Sequence, residues 1–335
     1  MEKLFDWRLE LGDRGILAPG PWLWARTLSW ALLLFAVALA GFFASIQLST
    51  WLKLPSTFEY VCAAVLPIVT VAAYASAVRL VEKRPVNELT ARKAPMELAI
   101  GALIGFVFIS ASLALLWALG LYQVHWGHWR RWFDFFLFNA YISGVLEELA
   151  FRAILLRLLM RIIGPIGALA MSCVLFGLAH AGHAPVLALV QIAINGGLIL
   201  GLLYMVSGRL WLSIGMHIGY DFTEWSIMGV GDKSGLLSVA PTPGRAALLT
   251  GGDFGPDGSV LASFVAGLLV VAILAVAARR SRFATAGSAF FAAPGASFGS
   301  SSGGGTTSLT GHTADHRATS RLGKPGRGEV DECRD

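Results

Sequence analysis

Residues 133–159 read FDFFLFNAYISGVLEELAFRAILLRLL, an apolar run that carries Glu147, Glu148 and Arg152 near its middle. A helix of that length crosses about 30 Å of hydrocarbon at about 1.5 Å per residue. Comparable runs recur at about 24–48, 58–80, 97–121, 163–183, 185–206, 210–229 and 259–278. Together they predict an all-α, polytopic membrane protein with about eight transmembrane helices.

Composition agrees. The 335 residues are 56% hydrophobic and only 14% charged, with mean hydropathy +0.66, whereas soluble chains carry about 25% charged residues. Secreted, collagen-like and nucleic-acid-binding classes are excluded, and the expected surroundings are a lipid bilayer. The net charge of +5 comes from 26 Lys and Arg that gather between the apolar runs and in the tail, leaving no basic stripe for a nucleic acid. Cys62, Cys173 and Cys333 cannot build a disulfide framework. Cys333 has two residues after it where a prenylation box needs three.

Residues 1–20 lack a short apolar core with a cleavage site and read as a cytoplasmic N-terminal segment. Residues 21–132 hold three accessory helices, 133–230 a core in which the polar residues concentrate, 231–258 an irregular Pro- and Gly-bearing extracytoplasmic loop, and 259–282 the last helix. Residues 283–335, rich in Gly, Ser and Thr, read as a disordered tail. Arg79, Lys83, Arg84, Arg92, Lys93, Arg157, Arg161, Arg209 and Arg279 fall on one side if both termini are cytoplasmic. The stretch His125 to Trp132, H-W-G-H-W-R-R-W, reads as an interfacial aromatic belt, with a histidine metal site as the alternative.

Ionisable residues inside the apolar runs carry the functional information. Three unpaired charges at a helix centre cost roughly 10 kcal/mol, at about 2.5–3.5 kcal/mol each. Glu148 and Arg152, four apart, share a face and can pair, whereas Glu147 points about 100° away with no local cation. A packing clamp explains the pair but does not need a second acid beside it. The run 163–183 ends F-G-L-A-H-A-G-H, with His180 toward a cavity or partner and His183 at the interface. The run 210–229 sets His217, Asp221 and Glu224 on one stripe, flanked by Gly215 and Gly219, which permit close approach. A stripe facing a cavity explains these residues best, with an interhelical hydrogen-bond ladder as the alternative for His217 and Asp221, while Glu224, near the helix end, is as readily wet. Glu147, His180, His217 and Asp221 together offer carboxylates and imidazoles able to activate water or bind Zn2+.

Taken in order, Glu147-Glu148 with Arg152, Phe176 with His180, and His217 with Asp221 match E-E-x-x-x-R, F-x-x-x-H and H-x-x-x-D. Each falls on its own expected helix. The pattern resembles that of the CPBP intramembrane proteases, also called the type II CAAX prenyl protease or Abi family, over roughly residues 135–225. The resemblance implies a multi-pass endopeptidase of the cell membrane, of metallo or glutamate type, acting on a membrane-associated peptide or protein. Glu147 and His180 would hold and activate water, His217 and Asp221 would complete the site, and Glu148 and Arg152 would support it. Asp221 stands where the eukaryotic prenyl proteases have Asn, so an amide donor is exchanged for a carboxylate that makes His180, His217 and Asp221 compatible with Zn2+. Bacterial members seldom take prenylated substrates, so a prenyl-cysteine tail does not carry over. A non-catalytic scaffold or bacteriocin-immunity protein of the same fold is the alternative, and a transporter ranks third because no paired repeat is visible. No H-E-x-x-H is present, Ser143-Gly144 lacks the leading glycine of a rhomboid motif, and Asp221 and Asp232 lie on one helix end where a presenilin-type pair needs two helices.

One tension follows from helix counting. Both termini inside would put His180 near the outer end of its helix while Glu147 lies near mid-membrane, unless the helix is irregular near Gly177 and Gly182 or its bounds differ by a few residues.

Overall fold

Leu, Ala, Val and Phe dominate the long runs, and in lipid a backbone must satisfy its own polar groups, so these runs become helices. The structure, a computed structural model, describes residues 9–182, 185–231 and 235–279. His183, Cys333 and the 283–335 tail lie outside the described residues. Among the described residues the main helices are α1 (Leu23–Trp51), α2 (Thr57–Glu82), α3 (Ala94–Ala118), α4 (Trp132–Ala179), α5 (Val186–Ser207), α6 (Trp211–Asp221) and α7 (Val260–Arg279). Six helical stretches are long and apolar enough to cross a membrane, and the chain is a multi-pass membrane protein.

The difference between six and eight has two causes. The 48-residue α4 contains two of the expected runs, and Gly164, at φ 72° and ψ 170°, breaks it where Pro165 removes a backbone donor. The 210–229 run forms α6 plus a π-helical continuation, Phe222–Ile227, which together fall short of a span. The second arm of α4 ends at Ala179, leaving His180 as its cap. The expected bound of 183 was therefore too far along, and His180 stands at the very end of its helix, as the helix count implied.

Wide π-turns at Phe135–Tyr141 and Leu149–Leu156 in α4, at Ala193–Leu198 in α5, and after α6 were not foreseen. Such turns insert a residue into the helix and are frequent at functional sites. Here they bracket Glu147–Glu148 and follow Asp221.

Helices α3 and α6 meet backbone to backbone. A Cβ on Gly101 would strike Leu212 and Met216, one on Gly105 Met216 and Tyr220, one on Gly215 Leu98, and one on Gly219 Ala102. The paired G-x-x-x-G stretches thus let the two axes close as far as bare backbone allows. On another side of α6, Gly144 of α4 admits the Ile218 side chain, 3.2 Å from the Ile218 nitrogen to the position a Cβ would take. These contacts bring the Glu148 turn against His217.

The segment expected to be irregular is partly a sheet. Strands β1 (Tyr122–Trp126) and β2 (Leu237–Pro241) pair antiparallel, Val124 opposite Val239. Alternating aromatic and β-branched residues suit a half-buried ribbon. His125 and Trp126 lie in β1, and Trp126, Trp129 and Trp132 are exposed, as interfacial aromatics require. The rest of the loop is tied down by the Tyr122 hydroxyl, which donates to the Thr250 carbonyl at 2.7 Å.

Three arginines counted as loop charges are instead buried in ion pairs. Arg157, with no exposed surface, donates to both Glu82 oxygens at 2.7 and 2.9 Å. Arg84 bridges Glu82 at 2.7 Å and Glu88 at 2.7 and 2.9 Å, while Trp30 and Tyr74 donate to the same two acids. Arg209 pairs with Glu97 on α3, Nε to Oε1 at 2.8 Å.

Candidate active site

Phe176 is the hub around which the site is assembled. It is buried on the second arm of α4, with its ring 5.1 Å from Phe151, 5.2 Å from His180 and 6.3 Å from His217 between centroids. The Arg152 guanidinium lies over it at 4.5 Å, a cation–π contact that helps a buried cation stand in an apolar setting. The i, i+4 spacing of Phe176 and His180 puts both on one face.

Arg152 and Glu148 pair as their spacing predicts, Nη1 to Oε1 at 2.9 Å, both fully buried. The same Glu148 oxygen also accepts from His217 Nδ1 at 2.8 Å, which the sequence did not signal because the partners are 69 residues apart. An ionised carboxylate can only accept, so Nδ1 carries the proton and Nε2 is the nitrogen turned to Asp221. That nitrogen stands 3.5 Å from Asp221 Oδ2, longer than a well-formed hydrogen bond. His180 donates its Nδ1 proton to the Phe176 carbonyl at 2.9 Å, which leaves Nε2 of the neutral ring as an acceptor.

Glu147 is half-buried, and its Oε2 is buried without a hydrogen-bond partner. It is close enough to His217 and Asp221 to act on both electrostatically. Glu148 Oε2 is likewise unpartnered. The structure thus brings Glu147, Glu148, Arg152, His217 and Asp221 together and sets His180 beside them through Phe176.

One acid from the loop joins this neighbourhood. Asp257, which follows Pro256 in a short 3-10 turn, accepts from the Tyr220 hydroxyl. Burial pushes its carboxyl above the ordinary aspartate range, although the Tyr220 hydrogen bond, His180 and His217 pull it back. Glu224 is 4% exposed and adds a further acid beside Asp257, so it is not the wet helix-end residue its position suggested. Nothing local in the sequence marks Asp257, since an aspartate among glycines and prolines reads as a turn.

Residues 129–223 match the family described as Type II CAAX prenyl endopeptidase Rce1-like. This region is similar to the CAAX prenyl endopeptidases. The CAAX-protease match takes in every residue from Glu147 to Asp221 named above and leaves out α1, α2, α3, α7 and Asp257. No curated protein and no solved structure matches the chain.

The zinc expectation asks whether His180, His217 and Asp221 fit a metal ion. Among the described residues no group of three or more His, Cys, Asp or Glu side chains is gathered as a ligand set. His217 gives its Nδ1 proton to Glu148, the support a metal-ligating histidine commonly has, and its Nε2 faces Asp221. The three are not gathered as a ligand set in this arrangement, and no chemical step below is routed through a metal.

Proposed function

We propose that the chain is an intramembrane endopeptidase that hydrolyses a peptide bond of a membrane-associated substrate near the membrane surface, with Glu147 as general base. The observation that carries this reading is the buried, unpartnered Glu147 oxygen beside His217 and Asp221. A buried carboxylate oxygen left without a donor is an energetic liability for the fold and is free to accept a proton from a bound water. The similarity of residues 129–223 to a family of endopeptidases supports the reaction class.

In this mechanism Glu147 takes one proton from a water held by His180 Nε2 as the water oxygen adds to the scissile carbonyl carbon. The carbonyl pair moves onto its oxygen, and when the tetrahedral species collapses the C–N bond breaks and Glu147 returns its proton to the leaving nitrogen. Glu148, held by Arg152, fixes the His217 ring and its tautomer. Asp221 faces the other His217 nitrogen and answers any change in its charge.

The test is peptidomics of membranes containing wild type or Glu147→Gln, followed by cleavage of the released peptide with both purified proteins. Loss of cleavage by a folded Glu147→Gln is expected, and full retention would refute the mechanism. Metal analysis of wild type beside Asp221→Asn, with activity before and after a chelator, checks the metal-free route. Unchanged activity after chelation is expected, and stoichiometric zinc lost together with activity would overturn it.

A further inference from the structure

We propose that Asn195 is a further catalytic residue, its side-chain amide donating to the scissile carbonyl oxygen as that oxygen becomes anionic. This inference rests on the hydrolytic reading above. Asn195 is 3% exposed, and neither its Oδ1 nor its Nδ2 has a hydrogen-bond partner. An amide can make several hydrogen bonds, and leaving all of them unmade in an apolar interior is among the least favourable arrangements a fold can keep.

Its neighbours place it in the catalytic layer. The next two carbonyls, of Gly196 and Gly197, accept from Arg152 Nη2 at 3.3 and 3.5 Å, and Arg152 is the partner of Glu148. A Cβ on Gly196 would lie 2.8 Å from the Phe176 ring, the ring shared by His180 and His217. The Ser213 hydroxyl donates to the Leu200 carbonyl at 3.0 Å. That bond ties α5 to α6 just beyond the segment that carries Asn195.

The opposite flank is fixed as well. Gln191, one turn before Asn195 and on the same face, is fully used when its amide is oriented to donate to the Gly258 carbonyl and accept from the Val260 N–H at 2.9 Å. Those groups adjoin Asp257. Asn195 is therefore set between the Phe176 hub and the loop that carries Asp257, on a π-turn.

The chemistry requires a donor there. Attack by water moves the carbonyl pair onto oxygen, and that oxyanion must be met by N–H or O–H groups. Asp221, when ionised, has no hydrogen to give, and His217 has committed its Nδ1 proton to Glu148. Asn195 Nδ2 is a buried donor with no other duty.

The experiment uses full-length protein and the peptide that wild type releases and Glu147→Gln does not. Asn195→Ala is expected to lower kcat by about 10²–10³-fold, as the loss of one oxyanion donor does, with KM and thermal stability unchanged. Adding Asp221→Asn to Asn195→Ala is expected to recover part of kcat, because it restores an amide in the same layer. Unchanged kcat in Asn195→Ala overturns the proposal. So does a fall in kcat that tracks a fall in stability and is not recovered in the double variant. A wild type that cleaves nothing more than Glu147→Gln removes the hydrolytic reading, and the role of Asn195 with it.

Discussion

Two buried polar assemblies sit in this bundle, and they are finished to different degrees. Around Glu82, the charged side chains of Glu82, Arg84, Glu88 and Arg157 leave no buried nitrogen or oxygen without a partner, and Trp30 and Tyr74 add donors of their own. Around Phe176, Glu147 Oε2, Glu148 Oε2, Arg152 Nε and both polar atoms of Asn195 are unpartnered. The first assembly spans α1, α2, α4 and the turn before α3, and its charged groups are all paired, although the buried Tyr204 hydroxyl beside them has no partner. The second retains unspent hydrogen-bonding capacity around the residues given chemical roles above. A membrane interior tolerates unsatisfied groups only at a cost, so the contrast separates polar groups that hold the bundle from polar groups that work in it.

The comparison can be broken most directly at Glu147. Glu147→Gln is expected to cut cleavage by about 10²–10⁴-fold, the usual contribution of a general base, while leaving the thermal midpoint unchanged or raised because an unpartnered carboxylate is removed. Arg157→Met should do the reverse. It leaves Glu82 short of two donors, so a loss of about 3–5 kcal/mol of stability is expected, read as earlier thermal unfolding in detergent. If Arg157→Met were as stable as wild type, the saturated assembly would not be holding the bundle.

The contrast sharpens at Asp257. Its carboxyl is held above the ordinary range by burial, so the folded protein favours the protonated form. The stability cost of ionising it is absent below the ordinary aspartate pKa and complete above the raised one. Asp257→Asn should therefore raise the thermal midpoint at neutral pH and leave it unchanged near pH 3–4, the region of an unperturbed aspartate. This is the smallest of the expected effects, and an equal shift at both pH values would sink it.

Much of this was legible in the sequence because lipid makes ionisable residues conspicuous. Glu147, Glu148, Arg152, His180, His217 and Asp221 stood out against apolar runs, and the four-residue spacing of Glu148 and Arg152 gave their pairing directly. Gly215 and Gly219 announced a close contact but not its partner, although Gly101 and Gly105 carry the same four-residue spacing and could have supplied it. The Glu148–His217 bond joins helices that no periodicity relates. Asp257 was hidden by turn-forming neighbours, and Arg84, Arg157 and Arg209 read as loop charges because their acids lie on other elements. Strands β1 and β2 are five residues each, too short to compete with the helical runs around them.

The glycine contact between α3 and α6 also closes one side of the bundle. Backbone already touches backbone along Gly101, Gly105, Gly215 and Gly219, leaving no width even for a methyl group. An extended peptide cannot slip between these helices, nor past Gly144, where Ile218 fills the gap to α4. His217 is closed off on both of these sides, and Asp257, the loop acid that interacts with it electrostatically, lies outside the matched region. The CAAX-protease match therefore covers the residues that meet at Phe176 but neither Asp257 nor the α3 face packed against α6.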